Sequence, residues 1–358
     1  MKPRVVLGVE TSCDETAAAL LVDGKVVADR TTTQLLHEEY GGVVPELASR
    51  AHERLLMPAV EGVLSDAGLQ IADIEAVAVT SGPGLAGALL VGVSFTKGLA
   101  GALDIPLIGV NHLEGHLWSF EMTHGELPLP FLGVIISGGH TLTVGVNGFG
   151  NYIKLGATHD DAVGELFDKV GRMLGYSFPA GAALDRDSMN FHGKPVQFPR
   201  ARVRSDPFGF SFSGIKTSVL YYLRERYELG PNGFKISPSE RATVSAGLME
   251  AVADMLVSGF ETAYDTDKFQ ALVISGGVAS SRFLRLRFRQ FAESRGIPLI
   301  IPPPEHCTDN GAMIAYTGYL RLRAGFSSPL DLPVDPAATL FTSQNISPGD
   351  LYGTIEES

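Results

Sequence analysis

A chain of 358 residues is long for one hydrophobic core, so two lobes are the default expectation. It is 45% hydrophobic and 19% charged, with 41 Gly and 21 Pro, which is too apolar for a disordered chain and rich in tight turns. The formal charge, 28 − 40 = −12, repels nucleic acid, so any such contact needs a local basic patch or a basic partner.

Cys13 and Cys307 are the two cysteines, which excludes a disulfide scaffold and suits a reducing compartment. Lys2 and Arg4 lead into an apolar run at residues 5–9 that stops at Glu10, too short for a signal peptide. The most apolar stretch, 85–110, is broken by Lys97 and Asp104 and reads as a buried helix and strand rather than a membrane span. A cytoplasmic protein with no membrane partner is expected.

In chain order, a strand at 5–9 is followed by a polar turn and a second strand at 16–22. The hairpin turn Asp23-Gly24 leads into a third strand at 25–31. A helix over 45–67 ends at Gly68. Next come a strand at 76–80, a helix at about 85–103, a strand at 107–110 and a helix starting near His112. Strands alternating with helices predict an α/β fold with a largely parallel sheet, fronted here by a meander.

The second half repeats this plan. Residues 132–136 enter the turn Ser137-Gly138-Gly139-His140-Thr141 and return through 142–146. Aligned on glycines, Gly8-Val9 matches Gly133-Val134, Ser12 matches Ser137, and Thr16 matches Thr141. Ala78-Val79-Thr80-Ser81-Gly82 resembles Leu272-Val273-Ile274-Ser275-Gly276, and Ile105-Pro106-Leu107-Ile108 recurs as Ile297-Pro298-Leu299-Ile300. Matched segments in one order predict an internal duplication: two similar α/β lobes whose strand-end loops converge on a ligand cleft. The acidic, Pro-rich tail after about Ser327 reads as irregular and peripheral.

His112 and His116 stand at i and i+4, so on a helix they share one face and can ligate one ion. Two helix histidines without a ligand would give the same spacing. Position adds weight, because the pair directly follows the strand at 107–110. The equivalent point of the second repeat carries His306-Cys307-Thr308-Asp309-Asn310-Gly311. Asp309 is therefore a natural third ligand, brought from the opposite lobe; its plain alternative is an N-cap for a helix at 311–322. Two histidines and one carboxylate with open positions suit iron(II), or zinc in a catalytic role. A metallopeptidase needs Glu directly after the first His or directly before the second. Leu113 and Gly115 hold those places, and a helix would turn Glu114 away from the pair.

Three glycine-bearing turns sit at strand ends. The 137–141 turn can offer backbone N–H groups and hydroxyls to a phosphate, or it can be a bare tight turn. Ser275-Gly276-Gly277-Val278 opens a helix expected at 280–293, against whose N-terminus a nucleotide could lie. Gly82-Pro83-Gly84-Leu85-Ala86-Gly87 formally matches the dinucleotide fingerprint, but Asn111 and His112 stand where an acidic residue is needed, so it reads as helix–strand packing.

In the first hairpin turn, Glu10 and Asp14 are placed to work near phosphate or metal, or simply to be solvated. Asp160, Asp161, Glu165 and Asp168 are expected on one helix, with Asp161, Glu165 and Asp168 sharing a face. Arg200, Arg202 and Arg204, with Arg282, Arg285, Arg287 and Arg289, are the candidate RNA-facing or partner-facing patches.

Several motifs together resemble one family. They are Gly8-Val9-Glu10-Thr11-Ser12-Cys13-Asp14-Glu15-Thr16, His112-Leu113-Glu114-Gly115-His116, Ser137-Gly138-Gly139-His140-Thr141, Phe208-Gly209-Phe210-Ser211-Phe212-Ser213-Gly214-Ile215-Lys216-Thr217 and Asp309-Asn310-Gly311-Ala312-Met313. In this order, across residues 5 to about 325, they resemble the bacterial tRNA N6-adenosine threonylcarbamoyltransferases (TsaD), once described as sialoglycoprotein endopeptidases.

The resemblance implies a ribonuclease H-like fold of the actin, sugar-kinase and Hsp70 kind. The implied layout is a first lobe over 1–125 joined by a helix at about 309–325, a second lobe over 126–308, and a tail over 326–358. The implied reaction is acyl transfer: threonylcarbamoyl passes from threonylcarbamoyl-AMP to N6 of the adenosine 3′ to the anticodon, in tRNAs reading codons that begin with A, and AMP is released. Also implied are one iron(II) or zinc ion on His112, His116 and Asp309, and substrate contacts at Ile135, Ile136, Ser137, Gly138, Gly139, Asp168, Gly181 and Asp185. His140 is the candidate for proton transfer. ATP or another adenine nucleotide stays open as a further ligand. A paralogous protein and a small ATPase are the implied protein partners.

Two departures from the family pattern stand out. The usual Pro-Gly-Gly turn reads Pro179-Ala180-Gly181, and Ser281 replaces the Asn that commonly follows the late Gly-Gly-Val, leaving a weaker nucleotide contact. A sugar kinase or Hsp70-like ATPase, the nearest rival on this fold, has no need of the histidine pair. A pure binding module would release no AMP.

Overall fold

A computed structural model describes residues 4–203, 206–266 and 269–341. The chain forms two compact units: one holds the residues up to Glu126, Gly148–Tyr152 and those from Asp309 on, the other Leu127–Asn147 and Ile153–Thr308.

The first unit opens with β1 (Val5–Glu10), β2 (Glu15–Val22) and β3 (Lys25–Thr33). The β2–β3 turn puts Asp23 at φ 50° and Gly24 at φ 79°, the left-handed pair that a two-residue hairpin needs. Then come α1 (Pro45–Ala67), β4 (Ala76–Gly82), α2 (Ala86–Leu103), β5 (Leu107–Asn111), α3 (His112–Trp118) and α4 (Glu121–His124). Pro45 starts α1, where its missing N–H costs nothing, and Gly68 closes it in the left-handed region.

The second unit contains β6 (Phe131–Ile136), β7 (Thr141–Gly148), β8 (Asn151–Ala157), α5 (Val163–Met173), α6 (Gly181–Met189), α7 (Ser213–Arg226), the short pair β9 (Leu229–Gly230) and β10 (Gly233–Phe234), α8 (Pro238–Thr266), β11 (Leu272–Ser275), α9 (Arg282–Arg295) and β12 (Leu299–Ile300). The chain then returns to the first unit as α10 (Gly311–Arg323).

The two five-stranded sheets share one plan. Their orders are β3-β2-β1-β4-β5 and β8-β7-β6-β11-β12, each with an antiparallel hairpin side and a parallel side. Gly8 pairs with Ala19 and Gly133 with Val144, the correspondence that the glycine alignment predicts. On the parallel side the match slips by one: Gly8 pairs with Ala78, and Gly133 pairs with Val273. The cause is local. A register shift between Thr80 and Gly82 gives β4 an extra residue, so aligning on the Ser-Gly ends displaces the strand bodies.

Alternation along β1 decides what packs where. Val5, Leu7 and Val9 join Val60 and Val63 of α1 and Val93 of α2 on one face, while Val6, with Ala78 and Val110, faces Met313, Ile314 and Ala315 of α10 on the other. The second core gathers Leu132, Val134 and Ile136 of β6 with α5, α7, α8 and α9.

The tail is irregular but tied down. Ser328 bridges Leu107, Asp335 N donates to the Ser81 carbonyl, and Leu332 joins the first core, so the described part covers the sheet edge rather than lying apart. Residues 342–358 lie outside the described residues.

Gly8 lets α10 approach β1: a Cβ there would stand 2.4 Å from Ala315 N and 2.5 Å from the Gly311 carbonyl oxygen. Gly8→Ala should therefore cost about 1–3 kcal/mol of unfolding free energy in a urea titration, because backbone and not a side chain must move.

Candidate metal centre

The strand β5 ends at Asn111, whose side chain accepts the Leu113 and Glu114 backbone N–H groups at 2.9 and 3.4 Å and so caps α3. The helix then places both imidazoles on one side, with ring centroids 4.7 Å apart and planes at 84°. At the start of α10 the cap is Asn310, which accepts from Met313 N at 2.8 Å. Capping therefore does not occupy Asp309.

The Asp309 carboxylate reaches the histidines instead. Its Oδ1 lies 2.9 Å from His116 Nε2 and 3.5 Å from His112 Nε2. One ligand atom from each of the three residues lies within 4.8 Å of the others, so the set could hold a single metal ion. Asp309 belongs to the same unit as the histidines. The expectation that it arrives from the opposite lobe is thus corrected: the chain has re-entered the first unit by residue 309.

Around these atoms the charges are arranged for a cation. His112 Nδ1 donates to Glu10 Oε2 at 3.0 Å and lies 3.3 Å from Ser12 Oγ, while Thr80 Oγ1 donates to the same Glu10 oxygen at 2.6 Å. A carboxylate behind the imidazole fixes the tautomer that leaves Nε2 as ligand. Burial opposes charge on His112, but Asp309 and Glu10 outweigh it and push its pKa up to about 9. Burial also opposes the Glu10 charge, and the attraction and hydrogen bond of His112 overcome it, leaving that carboxyl below its ordinary value. Burial together with Asp309, Asp14 and Glu10 holds the Glu15 carboxyl well above the usual range. Carboxylates crowded in a buried place disfavour one another's charged form. His116 Nδ1 is buried with no partner among the described residues, so His112 alone has the supporting carboxylate. A two-nitrogen, one-oxygen set with open positions fits one divalent ion.

Glu114 turns away, as its register predicts. Its Oε1 accepts from Tyr152 Oη at 2.8 Å and its Oε2 from Arg321 Nε at 2.8 Å. A peptidase's general base is absent from the pair.

Sequence reading missed a buried support for the 10–16 loop. His52 Nε2 donates to the Cys13 carbonyl at 2.9 Å, which makes Nδ1 the acceptor for the Thr16 hydroxyl at 2.8 Å. Gln34 and His37 extend this network. Burial lowers the His52 pKa and favours the neutral ring. The available signal was a histidine inside the apolar stripe Ala48, Leu56, Ala59 and Val63 of α1. Thr80, too, was not singled out.

In the second unit, Ile135 and Ile136 are buried at the end of β6, and Ser137 to His140 form the tight turn. Ser137 N donates to the His140 carbonyl at 2.7 Å, and His140 N to Ser137 Oγ at 3.1 Å. Gly138 and Gly139 are exposed, and a Cβ on either would meet nothing of this chain within 4 Å. Asp168 Oδ1 accepts from Ala180 N at 2.8 Å, holding α5 to the turn before Gly181. Asp185 Oδ1 accepts from Ser281 Oγ at 2.5 Å and Phe283 N at 2.9 Å.

Three expectations change here. The turn after β11 runs through a 3-10 segment, Gly277–Ser280, before α9 starts at Arg282, where Ser281 and Asp185 already occupy N-terminal N–H groups. Asp160 and Asp161 precede α5 rather than lie on it: Asp160 caps the start of α7, and Asp161 pairs with Lys169 and Lys216. The basic clusters meet on α8, where Arg200 and Arg287 share Asp254 and Arg202 donates to Ser258. Arg285 is spent on the Ala279 and Pro302 carbonyls, Arg282 and Arg289 are exposed, and Arg204 lies outside the described residues.

Residues 25–316 match the family model described as tRNA N6-adenosine threonylcarbamoyltransferase. The chain belongs to that family. It is 45% identical over 339 residues to the tRNA N6-adenosine threonylcarbamoyltransferase of Salinibacter ruber, covering 94% of this chain and all of the relative. The Trichlorobacter lovleyi enzyme of the same name is also 45% identical, covering 94% and 96%. Among solved structures, HypF of T. kodakarensis superposes with a TM-score of 0.61 at 13% identity over 89% of this chain and 48% of that one. Component A of the Acidaminococcus fermentans (R)-2-hydroxyglutaryl-CoA dehydratase gives 0.52 at 14% identity, covering 88% and 97%. These last likenesses concern fold alone.

Asn310→Ala should lower stability by about 1 kcal/mol, read from the denaturation midpoint, because the cap of α10 is lost.

Proposed function

We propose that this threonylcarbamoyltransferase-family chain transfers threonylcarbamoyl from threonylcarbamoyl-AMP to N6 of the adenosine 3′ to the anticodon, in tRNAs reading A-starting codons. The observation that carries the reading is the convergence of His112, His116 and Asp309 in a chain 45% identical to transferases of that name. N6 forms a bond to the carbamoyl carbon, the carbon–oxygen bond to phosphate breaks, AMP leaves, and the N6 proton passes to a base. His140, on the exposed turn, is the residue we assign to that proton.

The donor set suits iron(II) or zinc, which would supply positive charge to the carbamoyl oxygen or the phosphate. Glu10 and Thr80 hold His112 in its ligating orientation. Gly138 and Gly139 present backbone to the acyl adenylate, Ile135, Ile136 and Ser137 hold the turn that carries them, and Gly181 lets the ligand approach the start of α6. Asp168 and Asp185 act through the turns they hold, and Ser281 through the start of α9. ATP or another adenine nucleotide would use the same backbone donors.

A paralogous protein partner has support in α2. This helix has a mean hydropathy of 1.5 with only 33% of its residues buried, and Leu90 is 51% exposed. It and α8 are long and apolar enough to cross a membrane by length and composition, but each has one side in a lobe core, and we read both as parts of a cytoplasmic protein. A small ATPase completes the proposed set of partners.

The test is AMP release and tRNA modification by the purified chain with its partners, alongside elemental analysis. His112→Ala should lose bound metal and transfer together; full transfer by a metal-free variant would refute the assignment. Gly139→Ala should fold normally, since its Cβ has free space, yet raise the KM for threonylcarbamoyl-AMP about tenfold by loss of close backbone approach.

A further inference from the structure

The metal ligands ride on two helices. His112 and His116 belong to α3, Asp309 immediately precedes α10, and ligand distances of about 2.0–2.2 Å leave little tolerance in how those helices cross. Two contacts fix the crossing. Near the ligands, Gly115 packs against α10, where a Cβ would stand 3.0 Å from Ile314 Cδ1 and 3.4 Å from Met313 Cγ. Two turns further along α10, roughly 10 Å away, Arg321 reaches back to Glu114.

That second contact is unusual for a place where apolar packing would do. Glu114 is 1% exposed, and both its oxygens are used: Oε2 accepts Arg321 Nε at 2.8 Å and Nη2 at 2.6 Å, while Oε1 accepts Tyr152 Oη at 2.8 Å. Tyr152 Oη accepts in turn from Trp118 Nε1 at 2.8 Å, so the last residue of α3 is tied to the same knot. Burial works against charge on Arg321, and Glu114 outweighs it. A buried ion pair is an expensive way to join two helices, because apolar residues of similar volume often hold as well. What charges and hydrogen bonds add is direction: each of the four groups accepts only a narrow geometry.

We infer that Glu114, Arg321, Tyr152 and Trp118 form a positioning brace that sets the angle between α3 and α10, and thereby the separation of the two histidines from Asp309. Glu114 is a positioning residue: it touches neither metal nor substrate, and its effect reaches the ion through the helices. The inference rests on the metal reading of the three ligands.

The test uses cobalt(II) as the probe in the full-length protein, with its visible absorption reporting coordination, and thermal unfolding of the metal-free protein as a separate readout. Glu114→Gln keeps the shape and removes the charge. The double variant Glu114→Gln/Arg321→Met removes both charges and leaves no buried ion unpaired, while the new amide carbonyl still accepts from Tyr152 Oη. Cobalt affinity should fall about 10–100-fold in both, with an altered spectrum, while the double variant unfolds close to the wild-type temperature. Recovery of affinity together with stability in the double variant would make the pair a fold element only and overturn the inference. So would wild-type affinity and spectrum in Glu114→Gln. If the wild-type protein itself binds no cobalt, the metal reading falls first, and this inference with it.

Discussion

The Asp309 carboxylate, drawn between two imidazole nitrogens, is the constraint on which the first unit is organised. It can sit there only if α10 enters close against β1, which requires the bare backbone of Gly8. It also requires another residue to cap α10, and Asn310 does so. It requires α3 to start at His112 without fraying, which Asn111 secures. Behind His112 the chain places Glu10, and behind Glu10 it places Thr80, so three strand ends of one sheet meet at a single ring. Removing Glu10 or Asp309 leaves an imidazole nitrogen without the carboxylate drawn to it, a costlier state than never having buried it.

The duplicated plan gives the two units different chemistry from similar strands. The hairpin after β1 carries Glu10 and Ser12 and faces histidines, while the hairpin after β6 carries Ser137, Gly138 and Gly139 and exposes its backbone. The first offers side chains and the second peptide groups, the difference on which the proposed ion and phosphate contacts rest. The extra residue in β4 lies at a strand end, while the strand bodies paired to β1 and β6 keep an unbroken register.

Several cations that look available in the sequence are committed in the fold. Arg200 and Arg287 are drawn to Asp254, Lys169 and Lys216 to Asp161, and Arg285 to carbonyl oxygens. With a formal charge of −12, phosphate contacts would fall to cations that stay exposed, such as Arg282 and Arg289.

The strands of the first sheet, β6, β7, β11 and β12 of the second, the helix α1 with its Pro45 start and Gly68 stop, and the repeat were legible in the sequence, because alternation, helical spacing and turn residues are local properties; β8, β9 and β10 were not read. So were the histidine pair and the candidacy of Asp309, since spacing and place in the repeat suffice to nominate them. The sequence could not decide between Asp309 and Asn310 as the cap of α10, because both residue types serve and the choice depends on where α3 lies. Nor could it bring Glu10 to His112, 102 residues apart, or Glu114 to Arg321, 207 residues apart. Side-chain direction at those distances is set by how helices pack on the sheet, and only the assembled unit specifies that.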